Sequence, residues 1–208
     1  FEDEQSDATN EFELLAASMV SSNVPLAPPH DVEKLFEMAN QSSMLPQCVD
    51  AYVTNTVEAG WEIGPIARGV KMDQDEVDEL QSFIDRANTD ESLVTVVGKS
   101  LRDREYVGFG FTEVIRDRGG SISLMRNAPS ISMRLTGKHP DEQRVKYDIR
   151  RGKRTAVVSE FKKFRKFVQI ISGVTIYFRE FGDPRQMNSV SGLFEGESGY
   201  TPDSPATE

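Results

Sequence analysis

Apolar residues recur at helical spacing through the first half of the chain and at alternating positions through the second. Asp31 is a good N-cap for a short helix carrying Val32, Leu35, Phe36 and Ala39 on one face. After a break at Asn40 to Ser43, the residues Leu45, Cys48, Val49, Tyr52, Val53, Thr56 and Val57 keep an i, i+3, i+4, i+7 stripe, with Pro46 in the first turn. This stripe predicts a second helix ended by Gly60, with Cys48 in the core, and Trp61, Ile63 and Ile66 then start an extended segment. Asp73 and Glu76 form a capping-box pair and Met72 and Val77 have staple spacing, so Val77, Leu80, Phe83, Ile84 and Ala87 predict a third helix. A fourth, from about Asp90 to Arg104, uses Leu93, Val97 and Leu101.

Beyond Tyr106 the period changes to two: Val107, Phe109 and Phe111 alternate with Gly108, Gly110 and Thr112. Alternating segments return at 121–125, 130–136 and 144–150, and the last strands are Phe167 to Ile171 and Val174 to Phe178, joined by a two-residue turn at Ser172-Gly173. Other turns fall at Arg118-Gly119-Gly120, Ala128-Pro129, Gly137 to Glu142 and Arg151-Gly152-Lys153. The expected class is α+β, N-terminal helices followed by a mainly antiparallel meander. Residues 1–27 read as a mobile acidic arm, a short amphipathic segment (Phe12, Leu14, Leu15, Met19) and a proline-marked strap. Residues 28–188 read as the α+β body, helical over 28–104 and strand-rich over 105–188, and 189–208 as a flexible loop or truncated end.

Charge changes this picture. Residues 1–100 hold 20 acidic and 5 basic side chains, whereas residues 101–188 hold 10 and 19. Such asymmetry points either to self-assembly between unlike faces, to an anionic partner on one side, or simply to an unevenly solvated surface. No apolar run approaches the roughly 20 residues that cross a bilayer, so no membrane partner is expected, and no secretory leader is visible after Phe1. Cys48 is the only cysteine, which excludes an internal disulfide and a multi-cysteine metal site and suggests a reducing compartment.

Little in the chain suggests catalysis. There is no strand, GxxxxGK[ST], helix phosphate loop, and Gly108-Phe109-Gly110 reads as a bulge or close-packing site within a strand. His30 and His139 lack metal-pair or triad spacing and read as surface turn residues. Asp73, Asp75, Glu76, Asp78 and Glu79 lack the glycine and final glutamate of a calcium loop and instead complement a helix N-terminus. Pro140-Asp141 followed by Glu160-Phe161-Lys162 matches a loose pattern for metal-dependent nucleases, in which two carboxylates hold a divalent ion and a lysine meets the phosphate. It is short and common by chance. No cofactor is expected and the chain reads as a non-enzyme.

The densest feature is the basic tract Arg144 to Lys166, with Phe161, Phe164 and Phe167 interleaved among its cations. Cations for phosphates and rings for stacking suit a nucleic-acid groove. On a short helical stretch the same rings would form an apolar stripe, with the lysines solvating the far side. Both readings stay open, and the candidate subunit or DNA contacts are Arg150, Arg151, Lys153, Arg154, Lys162, Lys163, Arg165 and Lys166.

The stretch Phe164 to Arg185, FRKFVQIISGVTIYFREFGDPR, resembles the portal proteins of tailed phages, specifically the PBSX-prophage-type family, in which a glutamine, a strand, a glycine and a second strand lead into a Y-F-K/R-E-F-G-D-P-R string. The upstream order is similar too: Cys48-Val49-Asp50 and Asn55 on a helix, Gly60-Trp61, a helix pair, then Gly108-Phe109-Gly110 leading to Glu113-Val114-Ile115-Arg116. The similarity runs from about residue 28 to about residue 190. These are packing motifs with no catalytic residue to carry over. The resemblance implies a homo-oligomeric ring, usually a dodecamer in the full-length protein, at one capsid vertex. Double-stranded DNA would pass through its channel, pumped by a separate terminase, and tail-connector proteins would bind to it. It implies a place in the virion, and in the host bacterial cytoplasm during assembly. This chain would supply the outer wing, facing neighbours, capsid and scaffold protein, and would stop at Glu208 before the channel helix and clip that carry the channel wall and terminase contacts. In such a ring the acidic 31–100 half is expected to face the basic 144–166 tract of the adjacent subunit. Charge reversal at Lys162, Lys163, Arg165 and Lys166 would then disturb assembly.

Overall fold

The structure, a computed structural model, describes residues 23–58, 61–65, 72–117, 119–151 and 154–203, the side chains of Glu58, of 147–151 and of 154–156 excepted. Four α-helices, α1 (Val32–Gln41), α2 (Leu45–Val53), α3 (Gln74–Arg86) and α4 (Leu93–Val107), precede seven strands among these residues. The strands are β1 (Phe111–Arg116), β2 (Ile122–Ala128), β3 (Met133–Lys138), β4 (Gln143–Arg151), β5 (Arg154–Lys162), β6 (Arg165–Ile171) and β7 (Val174–Arg179). All ladders are antiparallel, so the class is α+β as the periodicities predict. The chain divides into two compact units, one of His30–Ile131 and one of Ser132–Glu208 with the stretch ending at Pro29.

In the first unit α4 is the central helix. Ser92 caps it by accepting from the Thr95 N–H at 3.2 Å, and Gly108 ends it with φ 85°, a left-handed cap that favours glycine. Val107 is therefore the last residue of a helix and not the first of a strand, and Gly108 is a helix stop, contrary to the alternation expected from Val107 onward. The reason for Gly110 is close approach: a Cβ there would overlap the Ser100 carbonyl. Ala87, Leu93 and Val96 form a buried cluster with Phe83, Ile84, Val97 and Met125 packed on it. Burial of each large aliphatic side chain contributes roughly 1.5–3 kcal/mol.

Asp31 caps α1 as predicted, accepting from the Lys34 N–H at 3.2 Å, and Val32 and Ala39 are buried. Asp73 caps α3, but through the Asp75 N–H, while Met72 is exposed and no residue of α3 is fully buried. On α2 the expected core position of Cys48 is wrong, since its side chain is exposed. The predicted stripe is really two. Val49, Val53 and Val57 follow one line, continued through a π turn at Thr54–Glu58, and are buried. Leu45, Cys48 and Tyr52 follow the adjacent line, about 100° away around the helix, and face outward. Gly98 of α4 lies where an added Cβ would meet Val53 at 3.4 Å, so the helices approach closely there.

In the second unit β3, β6 and β7 form one sheet in the order β3-β6-β7, and β4 and β5 form a separate two-stranded hairpin. The Ser172-Gly173 turn has φ of 50° and 81°, both positive, as a two-residue hairpin of this hand requires. The strap follows β3 on its other side, with Leu26 N–H donating to the Leu135 carbonyl at 2.7 Å. The β3 to β6 register shifts between Leu135 and Lys138, so Gly137 belongs to a strand and not to a turn. The buried Thr136 hydroxyl bridges this irregularity by pairing with both the N–H and the carbonyl of Lys166 at 3.0 and 3.1 Å. The arm 1–22 and Gly60, Ile66 and Arg118 lie outside the described residues.

Residues 189–203, the described part of the stretch 189–208 expected to be a flexible end, are instead anchored together with 183–188. They fold onto the β3-β6-β7 sheet through a few strong anchors in place of a regular apolar pattern. Phe194 is buried, Met187 bridges Phe194, and the Tyr177 N–H donates to the Ser189 carbonyl at 2.7 Å. The Asn188 side chain accepts from the Val190 and Ser191 N–H groups and donates to the Thr201 carbonyl at 2.9 Å. Gly192, at φ 69°, lies where a Cβ would meet the Tyr177 ring at 2.7 Å.

Candidate subunit interface

The basic tract is not helical. Its middle is β5, whose nine residues pair with β4 in continuous register from Gln143 opposite Lys162 to Arg151 opposite Arg154. At ~3.4 Å per residue the hairpin is about 30 Å long. Among the described residues β4 and β5 hydrogen-bond in a ladder only to each other. Opposite residues of an antiparallel pair share a face, so Arg144, Lys146, Ser159 and Phe161 lie together, with Val157 in the same alternation. The Arg144 guanidinium donates to the Ser159 hydroxyl at 3.1 Å across that face. Val145, Val158 and Glu160 take the other face. Val157 and Phe161 are 63% and 65% exposed and Val158 is 43% exposed, while Arg144, Lys146 and Lys163 are exposed as well.

The candidate cations therefore divide. Lys163 is free to meet a partner. Lys162 holds Glu180 at 2.9 Å and sits 4.8 Å from the Phe164 ring centre. Arg165 is half-buried, and its N–H donates to the other Glu180 oxygen at 3.0 Å. Burial pushes the Glu180 carboxyl up, but the Lys162 hydrogen bond and the Arg165 N–H outweigh it and hold it below the usual glutamate value. Arg150, Arg151 and Arg154 stand at the far end of the hairpin, their side chains outside the described residues, as is Lys153 altogether.

Lys166 is no contact residue. It is 1% exposed, with Nζ donating to Asn23 and to the Gly192 carbonyl and lying 4.2 Å from the Phe194 ring centre. Burial holds its ammonium below the ordinary lysine range, against the pull of Glu197. The reason is strand parity, because Lys166 and Val168 share the inner face of β6, in line with Phe164 just ahead of it, and all three are buried. Arg185 covers the same Phe194 ring at 3.6 Å and is gripped by Asp183 at 3.0 and 2.7 Å.

His139 is likewise corrected from surface turn to buried residue. Its Nδ1 accepts from the Asp141 N–H at 3.1 Å, which leaves Nε2 to donate to Glu197 at 3.3 Å. Asp141 is thus at the start of the connection to β4, and Glu160 is exposed near the base of β5 opposite Val145. No group of three or more metal-binding side chains is gathered among the described residues. No helix among them is long and apolar enough to cross a membrane.

The helical unit offers the opposite chemistry. Asp75, Glu76, Asp78 and Glu79 are exposed on α3 beside Leu80, which is 50% exposed. A shallow apolar cleft of about 410 Å³ lies elsewhere on this unit, floored by Val57, Val97 and Leu101 and flanked by Trp61 and Arg104.

Two proteins of Bacillus subtilis (strain 168) are similar in sequence over most of the chain. The uncharacterized protein YqbA is 32% identical over 192 residues, which cover 88% of this chain and 37% of that protein. The phage-like element PBSX protein XkdE is 32% identical over 179 residues, 81% of this chain and 36% of that protein. The chain thus spans little more than a third of the length of these relatives. No protein-family model matches it and no solved structure does. A homologue in a phage-like element fits a phage-derived protein.

Proposed function

We propose that the chain is the wing part of a phage portal subunit, a non-enzymatic component of the ring through which DNA enters and leaves the capsid. The observation that carries this reading is similarity across most of the chain to a phage-like element protein, together with the portal-like string from Phe164 to Arg185. The string's place in the fold supports it. Lys166 and Val168 form the inner face of β6 with Phe164 just ahead of it, Glu180 ties Lys162 and Arg165, and Asp183 clamps Arg185 over Phe194. Every one of these roles is packing, as suits a rigid ring segment. In this reading the chain works in the virion and is assembled in the host cytoplasm, with capsid, scaffold, terminase and tail-connector proteins as partners of the ring.

The test is the state of the whole gene product that contains these 208 residues. Light scattering and negative-stain imaging should find one discrete closed ring. A monomer or dimer at every concentration and salt would refute the portal reading. A second reading, a stand-alone nucleic-acid module, is favoured only by Arg144, Lys146 and Phe161 sharing one hairpin face. Salt-sensitive binding of short duplex DNA by the monomer, lost on Arg144→Glu with Lys146→Glu, would support it.

A further inference from the structure

We propose that the Lys166 ammonium couples two segments far apart in sequence, the strap at Asn23 to Leu26 and the loop 186–197, so that neither opens without loosening the other. Lys166 lies on the inner face of β6 and is 1% exposed. Its Nζ donates to the Asn23 side-chain oxygen and to the Gly192 carbonyl, and the Phe194 ring centre is 4.2 Å away. The carboxylates of Glu197 and Asp183 favour the charge, against the pull of burial and of Arg185. None of these groups belongs to the sheet that carries the lysine. Asn23 sits on the strap, and the others follow the end of β7 at Arg179.

A buried ammonium is tolerated only while it is hydrogen-bonded, and such a bond is stronger in a dry site than in water. If the loop opens, water reaches Nζ in place of Gly192 and the ring, and the Asn23 bond then competes with solvent and weakens. If the strap leaves, the ammonium loses a partner while still covered, and the loop must give way to admit water. Tyr177 spans the same joint. Its hydroxyl donates to the Asn23 carbonyl at 3.5 Å, its N–H donates to the Ser189 carbonyl at 2.7 Å, and its ring packs against Gly192. The strap also meets β3 through the Leu26 N–H and a bridge of Pro25 to Thr136. A partner that draws the strap off β3 therefore loosens the loop, and one that binds the closed loop steadies the strap. This coupling does not depend on the ring proposed above.

Hydrogen exchange of the whole gene product, read by mass spectrometry, tests the coupling through local opening. Asn23→Ala removes only the strap's side-chain oxygen. It should speed exchange in peptides covering 187–197 by about tenfold or more, as well as exchange at Leu26. Asn188→Ala breaks the loop's own bonds to Val190, Ser191 and Thr201 and should in turn speed exchange at Leu26. In both variants α4 and the β6–β7 ladder should keep their protection, which shows that the proteins fold. Lys166→Met keeps the stem and removes the charge, and in that background Asn23→Ala should leave exchange of the loop unchanged. Opening confined to the mutated segment, in either asparagine variant, would overturn the proposal. So would an effect of Asn23→Ala on the loop that is equally large in the Lys166→Met background. If Lys166→Met does not fold, the two asparagine variants decide alone.

Discussion

Replacing Phe194 with alanine removes the side chain against which the C-terminal loop, the buried Lys166 and the part-buried Arg185 pack. Phe194 is 2% exposed, Lys166 lies 4.2 Å from its ring centre and Arg185 3.6 Å. Truncation of a buried phenylalanine to alanine costs about 3–5 kcal/mol through lost transfer energy and the cavity left behind. Each cation–π contact adds about 0.5–2 kcal/mol, depending on how dry it is. Phe194→Ala should therefore cost about 4 kcal/mol or more, most of the stability of a domain near the lower end of the usual ~5–15 kcal/mol. Phe194→Leu keeps most of the apolar volume but loses both ring faces and should cost about 1–2.5 kcal/mol. Urea unfolding followed by circular dichroism measures both. With a slope of about 2 kcal/mol per molar, the alanine variant should lose about 2 M or more in midpoint. An alanine variant within about 1 kcal/mol of the parent would refute the view that residues 183–203 close this sheet.

Three further outcomes follow from the geometry. Gly110→Ala should lower thermal stability by about 3 kcal/mol or more, because its Cβ would overlap the Ser100 carbonyl, itself fixed in α4; a melt unchanged from the parent contradicts that packing. Cys48, being exposed, should react with a thiol reagent in the native protein at nearly the rate seen in denaturant, and strong protection would restore it to the core. The Glu180 carboxyl is depressed in the folded state, so its stabilisation is complete above the ordinary glutamate pKa of about 4.3 and is lost as pH falls through the lower folded value. Glu180→Gln should therefore flatten the fall in Tm on that acid side, and an unchanged acid profile would contradict the Lys162 and Arg165 pairing.

The helices were legible in the sequence because each has an apolar stripe and three of the four have a side-chain cap: Asp31, Asp73 and Ser92 all accept from first-turn N–H groups, while α2 has Pro46 in its first turn instead. The Ser172-Gly173 hairpin was legible for a similar local reason. Cys48 was not, because two neighbouring apolar lines on one helix look alike until tertiary packing covers only that of Val49, Val53 and Val57. β5 was hidden by its charges and by valines at 157 and 158, where both faces are exposed and no alternation results. The alternation of Phe164, Lys166 and Val168 does carry a signal for the burial of Lys166, since strand parity puts the lysine with its apolar neighbours. Nothing local announces its partners Asn23 and Gly192, which come from distant parts of the chain. Of the candidate contact surface, the sequence showed the concentration of cations but not which ones remain available, since Lys162 and Lys166 are engaged within the fold.

The most direct test of the portal reading is the mass and shape of the whole gene product in solution. A single discrete ring, usually a dodecamer in the family this chain resembles, is the predicted result. A product that stays monomeric across concentration and salt would contradict it.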